Sequence, residues 1–323
     1  MKSVLRYAFT AAALVAGAAS AQTFPSKPMT MVIPFAAGGP TDVVGRLIAQ
    51  SMSKTLGQQV IVENTVGAGG TIAAARVARA APDGYTLLLH HIGQSTAPSL
   101  YRKLPYDALT AFETIGLVTD VPMTVVAKGN FPAKNFGELV QYVKANKDKV
   151  NLANAGTGSA SHLCGLLFQE AIGVTVATIP YKGTAPAMND LLGGQVDIMC
   201  DQTTNTTSYI KSGKIKAYAV TTPKRLAVLP DLPTTRESDL PALDVAVWHG
   251  LYAPKGTPRD VVTKVNGALK VALKDPLVIE RFAGLGTEPV AESRTTPEVH
   301  KQFLTAEVAK WKKVIEAAGV QPE

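Results

Sequence analysis

Four segments of this chain combine glycines with hydroxyl-bearing residues where a predicted strand gives way to a predicted helix. They are PFAAGGPTDVVGR (34–46), VENTVGAGGTIAAA (62–75), NLANAGTGSASHLCG (151–165) and IPYKGTAPAMNDLL (179–192). A helix N-terminus offers free N–H groups and the positive end of the helix dipole, so it attracts anions. Ser and Thr are also ordinary helix caps, and a single loop of this kind would mean little. Four in one chain predict an anion site.

The residue types in these loops favour a carboxylate over a phosphate. No GxxxxGK[ST] phosphate loop occurs, and Ile72 and Ser161 stand where two of the loops would need the third glycine of a dinucleotide site. Lys182 is the one cation in the four turns, whereas phosphate sites usually recruit Lys or Arg. A carboxylate can be held by N–H and hydroxyl donors alone.

The same loops contain candidate nucleophiles without the pattern of a hydrolase. Ser159 and Ser161 lack the flanking glycines of a GxSxG elbow. His162 is close in sequence, but a catalytic base must be close in space and oriented by a carboxylate, so we expect His162 to cap or pack in its first helical turn. No Cys/His spacing indicates a metal. We predict no catalytic residue, no metal and no cofactor.

The elements that position these loops alternate between apolar β-rich runs and helical patterns. The runs are 29–35, 59–64, 85–90, 124–129, 150–156, 176–181, 196–200 and 215–221. Predicted helices include Thr41 to Leu56, Pro258 to Lys274 and Pro297 to Ala318. Such alternation predicts an α/β fold with parallel sheets and right-handed crossovers.

Ligands of such sheets lie beyond the carboxyl ends of the strands, where His90 and His91 stand. These two histidines either contact a ligand or pack in a half-buried position.

Composition and the N-terminal residues limit the class of protein. Charged residues are 18 % of the chain, and its Lys groups have no aromatic interleaving, which argues against a nucleic-acid partner. Lys2 and Arg6 precede an apolar stretch from 8 to 18, too short for a transmembrane helix. We predict a signal peptide over 1–21, cut after Ala21, and a periplasmic protein.

The chain has two cysteines, Cys164 and Cys200, in a compartment that permits disulfides. Cys164 falls on a predicted helix and Cys200 at the end of a predicted strand. Of the two alternatives, a disulfide or two buried thiols, we expect the unpaired thiols.

Six motifs in order resemble the Bug (Bordetella uptake gene) or TctC family. They are PFAAGGPTDVVGR, VENTVGAGG, APDGYTLLL, PSLYRKLPYD, IPYKGTAPAMNDLLGGQVD and WHGLYAPKGTP. The resemblance implies an extracytoplasmic solute-binding protein of a tripartite tricarboxylate transporter, with a membrane permease as partner. It implies a two-domain Venus flytrap of type II, with parallel or mixed sheets flanked by helices. We expect a monomer.

We predict that the two domains interleave along the chain. Residues 25–123 plus 254–323 would form domain 1, and 124–253 would form domain 2, with the ligand cleft between them. The chain would cross at TVVAKG and return at WHGLYAP, near Pro122 and Pro254.

Position by position, the resemblance implies ligand contacts from both domains. Those of the first domain fall on Phe35, Gly39, Pro40, Thr41, Ala68 and Gly69. Those of the second domain fall on Thr157, Gly158, Ser159, Ala160, Ser161, Gly183 and Thr184. In the family, ordered waters held by loop carbonyls also meet the ligand.

One pair of residues departs from the family. His90 and His91 stand where members commonly have small residues, which suggests similarity to the terephthalate-binding branch. We therefore expect a small mono- or dicarboxylate as ligand, with an aromatic diacid such as terephthalate as one candidate. Two alternatives stay open: a periplasmic serine hydrolase of carboxylate esters, and a ligand receptor for a sensor kinase.

Overall fold

The computed structural model describes residues 23–317 and 319–322. The predicted signal peptide over 1–21 and its cleavage site lie outside these residues. None of the described helices combines the length and apolar character that crossing a bilayer requires.

The described part of the chain alternates strands and helices. The strands are β1 (Met29–Ile33), β2 (Val60–Asn64), β3 (Thr86–His91), β4 (Phe112–Lys128), β5 (Asn151–Asn154), β6 (Ala177–Pro180), β7 (Ile198–Gln202), β8 (Ile215–Val220) and β9 (Ala246–Pro254). The helices are α1 (Pro40–Leu56), α2 (Thr71–Ala78), α3 (Gly93–Leu100), α4 (Phe136–Ala145), α5 (Ala160–Ile172), α6 (Thr184–Leu192), α7 (Thr203–Lys211), α8 (Arg259–Ala272), α9 (Pro276–Gly284) and α10 (Pro297–Ala317).

Helix α1 agrees with the predicted helix because its signals are local. Val44, Ile48 and Met52 recur at helical spacing and are fully buried against the sheet. Gly57 ends the helix with a φ of 67°, in the left-handed region that favours glycine, and its N–H donates to the Ser53 carbonyl. Helices α8 and α10 also lie within two residues of their predicted bounds, apart from Ala318, which is outside the described residues.

The sheet is mixed, with the order β2-β1-β3-β9-β4-β7-β5-β6 and β8 pairing with β4. Two groups are parallel: β1 with β2 and β3, and β5 with β6 and β7. The pairs that involve β9 or β4 are antiparallel. The predicted α/β class with parallel or mixed sheets is confirmed.

Strand β4 joins the two parallel groups and is longer than the predicted strand at 124–129. Its residues from Phe112 to Pro122 pair with β9, and those from Met123 onward pair with β7 and β8. The change of partner falls close to the predicted crossing between domains. The domain bounds themselves stay a prediction.

The expectation of two unpaired thiols is wrong. Cys164 on α5 and Cys200 on β7 form a disulfide, with their Cα atoms 5.8 Å apart. Both residues are buried in the same apolar core, because the buried side of α5 packs onto β7. The bond closes a sequence separation of 36 residues, and such cross-links typically contribute about 2–4 kcal/mol to stability.

Candidate functional site

Two adjoining cavities lie at the carboxyl ends of the parallel strands. The inner cavity has a volume of about 10 Å³ and is lined by Phe35, Pro40, Thr41, His91, Ala155, Ser159, Ala160, Ser161, Thr184 and Gln202. The outer cavity has a volume of about 250 Å³ and is lined by Phe35, Gly67, Ala68, Gly69, Gly70, Tyr101, Ala155, Gly156, Thr157, Pro180, Tyr181 and Lys182. Most of the predicted site residues therefore come together in space.

Four helices begin at the inner cavity. Pro40 and Thr41 open α1, Ala160 and Ser161 open α5, and Thr184 opens α6. Gln202 is the N-cap of α7. The first N–H groups of a helix have no partner within it, and the dipole places positive potential there. Because no Lys, Arg, Asp or Glu is among the described residues that line this cavity, an anion would be held there by neutral donors.

Two buried serines leave their hydroxyl hydrogens available. The Ser159 Oγ accepts from the His162 N–H at 3.2 Å, and the Ser161 Oγ accepts from the Ala155 N–H at 2.7 Å. Among the described residues, neither hydroxyl donates to a protein acceptor. Thr184 adds a third buried hydroxyl, whose Oγ1 lies 3.1 Å from the position that a Cβ on Gly39 would take. All three residues line the inner cavity, and their hydroxyls are its candidate side-chain donors.

Thr41 contributes differently from these three. Its Oγ1 lies 3.3 Å from the His249 Nε2, and the His249 Nδ1 lies 3.2 Å from the Val247 carbonyl oxygen. Because a carbonyl can only accept, Nδ1 carries the hydrogen. Burial lowers the pKa of His249 to about 3, so the ring is neutral and Nε2 accepts from the Thr41 hydroxyl. Thr41 therefore offers an anion its backbone N–H.

His91 forms part of the inner wall as a neutral donor. Its Nδ1 accepts from the Gly93 N–H at 2.9 Å, which leaves the ring hydrogen on Nε2. Burial is the main cause that holds the pKa of His91 well below its usual value, and the neighbouring His90 and His249 lower it further. The ring stacks on Phe35, with centroids 4.6 Å apart.

His90 lies outside the walls of both cavities. Its Nδ1 accepts from the His91 N–H at 2.8 Å, and its Nε2 lies 2.8 Å from the position that a Cβ on Gly70 would take. Burial lowers the pKa of His90 to about 3. The structure thus places only one of the two histidines against the candidate site.

The glycines allow the loops to meet across the cleft. A Cβ on Gly69 would lie 1.9 Å from the Thr157 carbonyl oxygen, and one on Gly183 would lie 2.9 Å from the Ala36 nitrogen. Two hydrogen bonds cross at the same place. The Tyr101 hydroxyl donates to the Thr157 carbonyl at 2.8 Å, and the Thr96 hydroxyl donates to the Gly158 carbonyl at 3.3 Å.

Sequence reasoning missed Gln202. This residue is 2 % exposed, ends β7 and lines the inner cavity. Its Oε1 has no hydrogen-bond donor among the described residues. The available signal was its position, because Gln202 follows the apolar run VDIMC in the way that His91 follows YTLLL.

The arrangement does not resemble a hydrolase. The hydrogen bond between Ser159 and His162 runs from the His162 backbone N–H to the serine Oγ, which is a helix cap. The His162 Nδ1 accepts from the Gly158 N–H at 3.2 Å. Within the described residues, no group of three His, Cys, Asp or Glu side chains could hold a metal ion.

Three solved structures are similar to the chain over most of its length. The periplasmic binding protein BugD is 56 % identical with a TM-score of 0.91, and the match covers 93 % of this chain and 100 % of that one. MatC from Rhodopseudomonas palustris, solved with bound malate, is 43 % identical with a TM-score of 0.87, covering 90 % and 100 %. Rpa4515 from R. palustris, solved with adipate, is 32 % identical with a TM-score of 0.88, covering 93 % and 100 %.

A family model identifies the same class of protein. The model of TctC, the tripartite tricarboxylate transporter family receptor, matches residues 44–320. The homologues are periplasmic binding proteins that serve transport, so the chain is a binding protein and not an enzyme. The chain belongs to the TctC family of tripartite tricarboxylate transporter receptors and has the two-domain fold of periplasmic binding proteins.

Proposed function

We propose that this protein captures a small carboxylate in the periplasm and delivers it to the membrane permease of a tripartite tricarboxylate transporter. One observation carries the proposal: four helix N-termini and three buried hydroxyls meet at a cavity with no charged side chain in its wall. Neutral donors suit a carboxylate, and the malate of MatC and the adipate of Rpa4515 are carboxylates.

The inner cavity favours a short aliphatic acid over terephthalate. Its volume of about 10 Å³ is about that of a single water site, so a ligand enters it only when the loops around it move apart. One face of the His91 ring is covered by Phe35 and cannot stack on a ligand ring. Longer acids would extend into the outer cavity, where Lys182 forms part of the wall.

Closure of the cleft would bring the two predicted domains together. The loops at Phe35–Thr41 and Ala68–Gly69 belong to the domain predicted over 25–123 plus 254–323. The serine and threonine donors belong to the domain predicted over 124–253. The change of pairing partners along β4 supports this division into two domains.

The predicted cleavage after Ala21 would release the protein into the periplasm.

A calorimetric and thermal-shift screen of organic acids on the purified protein tests the proposal. Succinate, malate, adipate and terephthalate are the test acids, and their diamides are the uncharged controls. A ligand at 100 times its Kd adds about 2.7 kcal/mol of stability. We expect at least one acid to bind and its diamide to fail. If no carboxylate binds, the proposal is wrong.

A second experiment separates transport from sensing. In a strain that lacks this protein, loss of uptake of the labelled acid would support the transport role. Retained uptake with loss of the transcriptional response to the acid would instead support the alternative of a ligand receptor for a sensor kinase.

A further inference from the structure

Seven lysines that are scattered in the sequence come together at one end of the domain predicted over 124–253. We call them the lysine pole: Lys128, Lys144, Lys147, Lys149, Lys211, Lys214 and Lys216. Strand β4 ends here and strands β5, β7 and β8 begin here, because Lys128 pairs with Ile215 and its backbone N–H donates to the Asp197 carbonyl at 3.0 Å. The fold therefore gathers three separate segments into one basic surface.

Contacts between the segments hold the pole together. A Cβ on Gly129 would lie 3.0 Å from the Lys214 carbonyl oxygen, and the Lys216 Nζ donates to the Phe131 carbonyl. The Phe131 ring packs on Tyr142, in the last turn of α4, with centroids 5.0 Å apart. The end of α4, the turn after β4 and the start of β8 are thus neighbours in space.

Most of the charge at the pole is uncompensated. Its exposed members are Lys144, Lys147, Lys149, Lys211 and Lys214. Among the described residues, Lys128 is the one member of the pole with an ion pair, to Asp197. Asp148 is the one carboxylate in the segments 144–149 and 211–216, and Glu170 lies in the last turn of the neighbouring helix α5. The exposed lysines outnumber these carboxylates, so the surface is positive.

Helix ends account for only part of this charge. Lys144 and Lys211 lie in the last turns of α4 and α7, where a cation complements the negative end of the helix dipole. Lys147, Lys149 and Lys214 lie beyond the helices and have no such local role. These three are the members of the pole that a partner would best explain.

The residue types favour a lipid surface over a protein partner. Protein interfaces have an apolar core rich in aromatic residues and are depleted in Lys, but none of the exposed large apolar side chains of the described residues lies in these segments. The segments also contain no Arg, which is the residue that binds one phosphate through two parallel hydrogen bonds. Separate lysine charges suit a layer of many mobile anionic headgroups.

We propose that the lysine pole binds the anionic phospholipid headgroups of the membrane that contains the permease. The membrane as partner rests on the proposed function. Each lysine near an anionic bilayer adds to the attraction. The cavities lie at the carboxyl ends of β5 and β7, whereas the pole lies where these strands begin. The contact therefore leaves the cleft open to ligand and keeps the protein near its permease.

Co-sedimentation with vesicles tests the proposal. One set of vesicles contains equimolar phosphatidylglycerol and phosphatidylcholine, and the other contains phosphatidylcholine alone. At low salt we expect the unaltered protein to partition at least about tenfold more strongly onto the anionic vesicles. High salt should remove most of this preference, because it screens exposed charges. Equal partition onto the two sets of vesicles would overturn the proposal.

A triple variant locates the contact. Lys147→Gln with Lys149→Gln and Lys214→Gln removes the three exposed charges that no helix end uses. Its partition onto anionic vesicles should fall about tenfold or more, because each lysine at the surface contributes to the attraction. Its affinity for the best acid of the screen should not change, because the pole is remote from both cavities.

The matched control removes the same net charge from the other predicted domain. It is Lys103→Gln with Lys264→Gln and Lys313→Gln, at exposed lysines without an ion pair among the described residues. The control should keep most of the partition onto anionic vesicles. Equal losses in the two triple variants would assign the attraction to the net charge of the whole protein and would overturn the role of the pole.

Calorimetry with carboxylates separates this inference from the proposed function. If the protein binds a carboxylate but no anionic vesicle, the lipid contact is wrong while carboxylate capture stands. If it binds anionic vesicles through the pole but no carboxylate, the proposed function is wrong while headgroup binding stands. If the unaltered protein ignores vesicles but cells with the pole variant lose uptake, the partner is an acidic protein and the lipid proposal is overturned.

Discussion

Cys164 and Cys200 join helix α5 to strand β7 through a buried disulfide, with their Cα atoms 5.8 Å apart. The helix begins with the donors Ser159 and Ser161, and the strand ends with the acceptor Gln202. The cross-link therefore holds two walls of the inner cavity to each other. Stability and ligand affinity should depend on it together.

Replacing both cysteines, Cys164→Ala with Cys200→Ala, should lower the free energy of unfolding by about 2–4 kcal/mol. The unfolded chain regains the freedom of a closed segment, and the two walls lose their tie. Urea denaturation measures the first effect and calorimetry with the best acid of the screen measures the second. Reduction of the unaltered protein is the control and should produce the same loss. Equal stability with and without the bond would contradict this prediction.

Ser159→Ala and Thr184→Ala should each weaken binding of a carboxylate by about 1.5–3 kcal/mol, the value of a hydrogen bond to a charged group. Ser159 also caps α5, so its variant should lose about 1 kcal/mol of stability in addition. Ser208→Ala, at an exposed residue on α7, is the control. Unchanged affinities in both site variants would mean that the site is misplaced.

The affinity for a carboxylate should stay nearly constant between pH 6 and pH 8. His91 is held neutral by burial, with its pKa well below the usual value, so no proton leaves it in this range. A charged histidine donor would instead lose affinity as the pH rises past about 6.5. Isothermal titration at several pH values decides between the two. A steep loss of affinity above pH 6.5 would show that the donor is charged.

The two neighbouring histidines should differ in their effect on ligand choice. His91→Gly opens the cavity wall and should admit bulkier acids, whereas His90→Gly changes a residue outside both walls and should keep the ranking of ligands. Affinities of aliphatic and aromatic diacids for the three proteins measure this. Identical rankings in all three would reject a role for His91 in selection.

Tyr101→Phe should shift the protein toward an open cleft. The Tyr101 hydroxyl donates to the Thr157 carbonyl across the two predicted domains, and an ordinary hydrogen bond contributes about 0.5–1.5 kcal/mol. We expect an affinity loss of that size and a larger radius of gyration in small-angle scattering. Tyr142→Phe, where the ring packs on Phe131, is the control. A variant with unchanged affinity and size would rule out a closing role.

Acid should destabilise the protein through its buried histidines. Burial lowers the pKa of His90, His249 and His300 to about 3, against about 6.5 in the unfolded chain. The unfolded state therefore binds protons first. The stability that each neutral ring provides is complete above about pH 6.5 and is lost as the pH falls toward 3, at up to about 1.4 kcal/mol per pH unit.

Urea denaturation between pH 7.5 and pH 4.5 measures this loss. The variant His300→Gln should show a shallower dependence on pH, because one proton fewer is taken up on unfolding. A stability that stays constant down to pH 4.5 would show that these rings are charged or exposed in the folded protein.

Several features followed from the sequence because their causes are local. The apolar residues of α1 recur about once per turn, and Gly57 directly follows the last helical residue. Both signals are local, so the helix was predictable almost to the residue. The prediction of a carboxylate site rested on the glycines and hydroxyls of four loops whose turns hold one cation, Lys182, and it stays a prediction. The six ordered motifs indicated the family that the comparison with the TctC model confirmed.

Tertiary structure decided what depends on packing between distant segments. The cysteines pair because α5 lies on β7, which no spacing in the sequence reveals. His90 and His91 differ because neighbouring residues of a strand point to opposite faces, and only the packed sheet determines which face meets the cleft. Gln202 reaches the cavity because β5 and β7 pair in parallel, which brings their carboxyl ends to one edge of the sheet. The chain by itself does not state which strands are neighbours.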